Sequence, residues 1–270
     1  MSINRKKIFN WLKIMILIYC SIGITLYYLQ GYFLFHPEKL DSGYVFKFDK
    51  PFEEISIPVN NVDTISMVKF FPKDSIRRGV VIYYHGNMKN VEYYAAFADN
   101  FTKYGYEVWM EDYPGFGKST GTRTEKKLYE QALQVQRMAA SKYGADSIII
   151  YGKSFGTGIA AYIASVSNCK ELILETPYYS IPDLFNSFSF IYPANYMSDY
   201  NIPTWKYLED VKEPVTIFHG TDDGVIFYRC ASKLKKYLKP GDEFITIEKG
   251  KHNNLSEFDK YKQVLDSLLR

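Results

Sequence analysis

The feature that most narrows what this chain can become is five residues long. Gly152-Lys153-Ser154-Phe155-Gly156 stands between the apolar run Ser147 to Tyr151 and a stretch rich in small residues, Thr157, Gly158, Ala160, Ala161 and Ala164. The run before it has the length and content of a buried strand, and the stretch after it reads as a helix able to pack closely. A serine between them sits on an abrupt strand-to-helix turn, where side chains on the flanking positions would collide; both glycines remove that obstacle. The turn lifts the hydroxyl clear of the sheet, above a helix N-terminus that favours developing negative charge. Ser154 is the candidate nucleophile.

A serine hydroxyl attacks only when a base takes its proton, and the base must be oriented by an acid. Of the four histidines, His36 borders the N-terminal apolar segment, His85 precedes Gly86 at a strand end, and His219 ends a strand. Only His252, in Gly250-Lys251-His252-Asn253, follows every expected strand, which satisfies the chain order serine, acid, histidine. For the acid, Thr221-Asp222-Asp223-Gly224 follows the strand Pro214 to His219, at the C-terminal edge of the sheet. Asp223 is the expected acid, with Asp222 and Glu175 as alternatives. The oxyanion needs two backbone donors. Phe155 supplies one, and Tyr84-His85-Gly86-Asn87-Met88 offers Asn87, or else Met88, as the second.

Short β-rich runs alternate with helical stretches along most of the chain. Phe52 to Val59 and Val62 to Phe71 form an opening antiparallel pair around Asn60-Asn61; Gly79 to Tyr84, Tyr106 to Glu111, Ser147 to Tyr151, Glu171 to Glu175, Pro214 to His219 and Glu243 to Glu248 are the later strands. In Glu125 to Lys142, Leu128, Ala132, Val135 and Met138 recur at helical spacing. The pattern predicts an α/β domain with a mostly parallel, eight-stranded sheet covered on both faces. One interval, about 177–211, is too long for an ordinary connection and sets Pro182, Pro193 and Pro203 among Phe185, Phe188, Phe190, Tyr192, Tyr196 and Trp205. It is expected to be a small cap, either a lid shaping an acyl pocket or a surface insertion whose aromatics pack on themselves.

The N-terminus carries a different signal. After Arg5, Lys6 and Lys7 the chain is almost wholly apolar from Ile8 to Phe35, and no charge stands between Lys13 and Glu38. About 20 such residues span a bilayer. Residues 1–35 are therefore expected to be a signal-anchor and residues 36–270 the catalytic domain, on the exoplasmic or periplasmic side by the positive-inside bias. Cleavage near Ser21-Ile22-Gly23, and a buried helix of the domain, are the alternatives.

Composition removes other classes. With 33 Lys+Arg against 30 Asp+Glu, a balance of only +3, and with no basic stripe interleaved with aromatics, nucleic acid is not an expected partner. The three cysteines make no metal motif, and Cys169 and Cys230 are expected as unpaired buried thiols. No metal or cofactor is called for. Gly152-Lys153-Ser154 and Gly117-Lys118-Ser119 mimic the tail of a phosphate-binding loop, but Ser147 and Asp112 stand where its first glycine belongs. Lys153 reads as a solvated side chain of the turn or as a contact for an anionic substrate.

Taken together, His85-Gly86-Asn87, Asp112 to Ser119, the turn at Ser154, His219-Gly220-Thr221-Asp222-Asp223 and Gly250-Lys251-His252-Asn253 look like the membrane-anchored α/β-hydrolase-domain family that includes eukaryotic acyl-protein thioesterases and is related to serine aminopeptidase-like hydrolases. Phe33-Leu34-Phe35-His36-Pro37 is similar to that family's entry into the domain. The resemblance implies an α/β-hydrolase fold with Ser154, Asp223 and His252 as the triad, and a structural role for the loop Asp112 to Ser119. Palmitoyl-removing members act on the cytoplasmic face, whereas a spanning segment here puts the domain outside. The expected activity is hydrolysis of a carboxylic ester or thioester, on a small-molecule or lipid-like acyl substrate, through an acyl-serine. Aminopeptidase-like amide hydrolysis and a catalytically silent anchored binding protein are the alternatives.

Overall fold

Alternation of apolar residues on both sides of each central strand decides the architecture. In Ile148–Lys153, Ile148 and Ile150 point into one core with Leu172, Leu174 and Ile159, while Ile149 and Tyr151 point into another with Ile173, Phe101 and Tyr261. A strand apolar on both faces has to be covered on both faces.

The computed structural model describes residues 5–74, 76–188 and 191–270. Its strands are β1 (His36–Pro37), β2 (Phe52–Pro58), β3 (Thr64–Phe70), β4 (Gly79–Tyr84), β5 (Met88–Lys89), β6 (Tyr106–Glu111), β7 (Ile148–Lys153), β8 (Glu171–Glu175), β9 (Val215–Gly220) and β10 (Glu243–Ile247). The helices are α1 (Arg5–Leu34), α2 (Val91–Tyr94), α3 (Asp99–Thr102), α4 (Glu125–Lys142), α5 (Gly156–Val166), α6 (Ile181–Phe188), α7 (Ala194–Met197), α8 (Thr204–Asp210), α9 (Tyr228–Ala231) and α10 (Asp259–Leu269). Eight strands form one sheet in the order β10-β9-β8-β7-β4-β6-β3-β2. The β2–β3 and β3–β6 pairs are antiparallel and all others parallel. This is the mostly parallel, eight-stranded sheet that the strand pattern predicts, in the α/β-hydrolase architecture that the resemblance implies. Residues of α4, α5 and α8 fill the core on one face, and residues of α3 and α10 fill the other.

Two features were not foreseen. β1 and β5 make a separate two-stranded parallel ladder, with His36 opposite Met88. The interval after β8 holds α6, α7 and α8, and its aromatics pack outward onto neighbours: Tyr179 and Trp205 meet Tyr237, Phe188 meets Phe227, and Tyr192 stacks on Tyr19 of α1. Phe190 lies outside the described residues. α1 runs for 30 residues, and of these only Gly23, Gln30 and Leu34 are buried. A helix so exposed and apolar is not a core helix of the domain; by length and composition it is a candidate membrane span. The chain enters the domain at Leu34 and Phe35, both buried. Cys169 and Cys230 are buried and unpaired, as expected.

Candidate active site

The C-terminal ends of β7, β8 and β9 and the loop after β10 converge on Ser154. The backbone there is forced: Ser154 has φ 52°, a left-handed conformation costly to a side chain and tolerated where the surroundings fix it. Its amide donates to the Glu175 carbonyl at 2.9 Å, and its carbonyl accepts from the Thr157 amide at 3.0 Å and the Thr157 hydroxyl at 2.6 Å. The glycines are required by close approach. A Cβ on Gly156 would stand 2.1 Å from the Tyr84 carbonyl oxygen, and one on Gly152 would stand 2.6 Å from the Gly156 carbonyl oxygen. Tyr178, buried, donates its hydroxyl to the Phe155 carbonyl at 3.0 Å and ties the turn to the segment after β8.

His252 Nε2 lies 2.9 Å from Ser154 Oγ, and His252 Nδ1 lies 2.8 Å from Asp223 Oδ2. The carboxylate accepts from Nδ1–H, so Nε2 carries the lone pair that faces the serine hydroxyl. The other Asp223 oxygen accepts from the amides of Val225 and Ile226, each at 2.8 Å. One carboxylate thus both holds the imidazole and closes the turn after β9. Burial alone would raise its pKa, but the His252 hydrogen bond and charge, with the Ile226 amide and His219, bring it below the usual range. Asp223 stays ionised at neutral pH. The loop bearing His252 is fastened to the loop bearing the acid by the Asp222 amide on the Gly250 carbonyl at 3.0 Å and the Lys249 amide on the Thr221 hydroxyl at 2.8 Å.

Among the described residues neither the Phe155 amide nor the Asn87 amide donates to an acceptor. The Gly86-Asn87 loop is close at hand, since a Cβ on Gly86 would lie 3.7 Å from the Ser154 Cβ. Asn87 is held from the N-terminal side: its carboxamide donates to the Leu34 carbonyl, and its carbonyl accepts from the His36 amide at 2.9 Å.

The other candidates do not reach the Ser154 hydroxyl. Asp222 is exposed and accepts from the Thr221 hydroxyl. His219 is buried, donates from Nε2 to the Ile226 carbonyl at 2.9 Å, and has its pKa lowered by desolvation. His85 is buried between Tyr94 and Tyr113, with its ring on the Gly86 carbonyl. The loop Asp112 to Ser119 is knit by its own hydrogen bonds, including the Ser119 hydroxyl on the Asp112 carbonyl at 2.6 Å, and donates nothing to Ser154.

Lys153 is the clear correction. It is neither solvated nor offered to a substrate: only 3% exposed, it forms an ion pair with Glu175, which also takes hydrogen bonds from Tyr151 and Tyr261. Burial would raise the Glu175 pKa, but the Lys153 charge and these three donors hold it low. The pair follows from the sheet, because the parallel register sets Lys153 opposite Glu175. The signal in the sequence was there only for a reader who already knew that β7 and β8 are neighbours. Among the described residues no cluster of His, Cys, Asp and Glu is arranged to hold a metal.

Known proteins resemble this chain over part of its length. The family model described as serine aminopeptidase, S33, matches residues 75–205. The α/β-hydrolase domain-containing protein 17C of Xenopus tropicalis is 26% identical over 200 residues, 71% of this chain and 62% of that protein. Its Homo sapiens counterpart is 25% identical over the same share of this chain and 58% of its own length. The lysophosphatidylserine lipase ABHD12 of Macaca fascicularis is 28% identical over 61% of this chain and 46% of its own. The chain thus spans about three fifths of the length of the 17C relatives and less of the lipase. In fold, an esterase of Pyrococcus furiosus matches with TM-score 0.67 at 17% identity, covering 87% of this chain and 97% of that one. The Est1E protein of Butyrivibrio proteoclasticus, solved with ferulic acid, matches with TM-score 0.63 at 18% identity, covering 80% and 96%.

Proposed function

We propose that this chain, an α/β-hydrolase by fold and by sequence likeness, is a serine hydrolase that cleaves a carboxylic ester or thioester through an acyl-Ser154 intermediate. The observation that carries the reading is a single imidazole within hydrogen-bond distance of both Ser154 Oγ and the ionised Asp223. His252 takes the hydroxyl proton as Ser154 attacks the acyl carbon, and gives it to the departing alcohol or thiol. Asp223 holds the ring in the required tautomer and stabilises the imidazolium formed. The tetrahedral oxyanion is received by the Phe155 and Asn87 amides, and the helix dipole of α5 adds to them. Water, activated by His252 in turn, releases the acid. Residues 1–35 anchor the enzyme to a membrane through α1, with the catalytic domain on the exoplasmic or periplasmic side, and residues 177–211 form the cap.

Esters are preferred over peptide amides here, although the matched family model bears an aminopeptidase description. Glu175, the acid that closes β8 beside the nucleophile, is taken up by Lys153 and is not free to receive the ammonium of an aminoacyl substrate. The lipase relative supports an acyl lipid as substrate. The test is turnover of p-nitrophenyl acetate and butyrate by full-length protein against Ser154→Ala. Turnover is expected to fall to the background rate in the variant; retention of more than a tenth of it removes Ser154 from the reaction.

A further inference from the structure

α1 is fastened to the cap at two levels. Gln30, buried, donates from Nε2 to the Met197 carbonyl at 3.2 Å and accepts the Asp199 amide on Oε1 at 2.7 Å. About three helical turns earlier, Tyr19 stacks on Tyr192 with ring centroids 4.7 Å apart; its hydroxyl donates to the Ile191 carbonyl at 3.1 Å, and the Tyr192 hydroxyl donates to the Tyr19 carbonyl at 2.9 Å. Around the Gln30 fastening, and reaching Tyr192 of the other, lies a cavity of about 430 Å³, walled by Leu26, Tyr27 and Phe33 of α1 and by Phe188, Ala194 and Met197 of the cap.

We propose that this cavity seats one acyl chain of a membrane lipid, admitted sideways from the leaflet on the domain's side, with the acyl carbonyl presented to Ser154. The inference rests on the readings of Ser154 as nucleophile and of α1 as a membrane span.

Three observations fix the occupant as hydrocarbon. The volume is that of an ordinary ligand site, roughly 300–1,000 Å³, its walls are mostly apolar side chains, and two of its polar groups are already engaged: the Gln30 amide by the cap, and the Ser198 hydroxyl by the Tyr200 carbonyl at 2.6 Å. A polar ligand would find little to replace its water. Depth is the second. If the span begins at Ile8, about 20 residues carry it to Tyr27, so the cavity opens at the membrane boundary and the Tyr19–Tyr192 fastening lies about 12 Å deeper by helical rise. Ile191, 61% exposed and bonded at the level of Tyr19, then meets lipid rather than water. Proximity is the third, because residues beside each wall touch those of the site. Phe33 is followed by Leu34, whose carbonyl holds Asn87, and by Phe35, whose ring packs 4.9 Å from that of Phe155. On the cap side, Phe188 packs 5.2 Å from Phe227, next to Ile226, whose amide Asp223 accepts.

The test is chain-length preference. Full-length protein in phosphatidylcholine vesicles is assayed with p-nitrophenyl acetate, butyrate, octanoate and decanoate, and kcat/KM is expected to rise up to about four-fold per methylene buried. Ala194→Trp, which fills the cavity from the cap, is expected to lower the decanoate-to-acetate ratio of kcat/KM at least tenfold. Should that variant fail to accumulate, Leu26→Trp fills the cavity from α1 and is read in the same way. A ratio unchanged in the folded variant, whether or not both rates drop together, overturns the proposal and marks the cavity as a packing gap. A wild type that cleaves acetate through Ser154 but shows no rise with length overturns the proposal and leaves the hydrolase reading standing; a wild type that cleaves none of the esters overturns both.

Discussion

Asp223 and Glu175 make an instructive pair. Both are buried carboxylates that follow neighbouring strands close to Ser154, and both are held below the usual carboxylate range by a nitrogen base and added hydrogen bonds. They differ in the partner. Glu175 faces the ammonium of Lys153, which also lies 5.2 Å from the centre of the Phe97 ring. Asp223 faces an imidazole that is 12% exposed and whose second nitrogen reaches the serine hydroxyl. An ion pair closed on itself braces the turn; an imidazole with one nitrogen on a carboxylate and the other on a hydroxyl is placed to pass a proton.

The two carboxylates should therefore fail differently when neutralised. Asp223→Asn should cut kcat/KM for short esters roughly 10⁴-fold while moving the thermal midpoint little, because the amide oxygen can still accept from Val225 and Ile226. Glu175→Gln should do the reverse, costing about 3–5 kcal/mol of stability by stranding a buried ammonium, with activity per folded molecule within about tenfold of wild type. Measured by denaturant melts, Lys153→Met/Glu175→Gln should recover most of that loss, since replacing both members by neutral groups removes the unpaired charge. A pair that contributes nothing would leave the single and double variants alike.

The stability gap between wild type and Glu175→Gln also has a pH signature. The folded pKa of Glu175 lies below its unfolded value of about 4.3, so its contribution is full above that value and is lost as pH falls through the folded pKa. Melts between pH 7 and pH 2.5 should show the gap shrinking below about pH 4. The smallest effect is expected from Tyr261→Phe, which removes one donor of 2.9 Å from Glu175 while Tyr151 and Lys153 remain: about 1 kcal/mol of stability and no change in ester turnover.

The contrast also explains what could be read from the sequence. The turn at Ser154, the strands and helix α4 are written locally, in motifs and periodicities that span a few residues, and they stand where those patterns place them. The serine, acid and histidine are far apart in the chain but follow a fixed order along the edge of a parallel sheet. Lys153 was misread because its partner is set by the β7–β8 register, which no local pattern declares. The β1–β5 ladder and the fastening of α1 to the cap were hidden for the same reason, being contacts between segments about 50 and more than 160 residues apart. Tyr19 and Gln30 in an apolar run look like minor impurities until the cap supplies their partners.

The most direct measurement is the site of covalent capture by a fluorophosphonate. Full-length protein, labelled and digested, should yield a single modified peptide with the adduct on Ser154, and Ser154→Ala should take up no label. An adduct on another residue of wild type, or undiminished labelling of Ser154→Ala, would contradict Ser154 as the nucleophile.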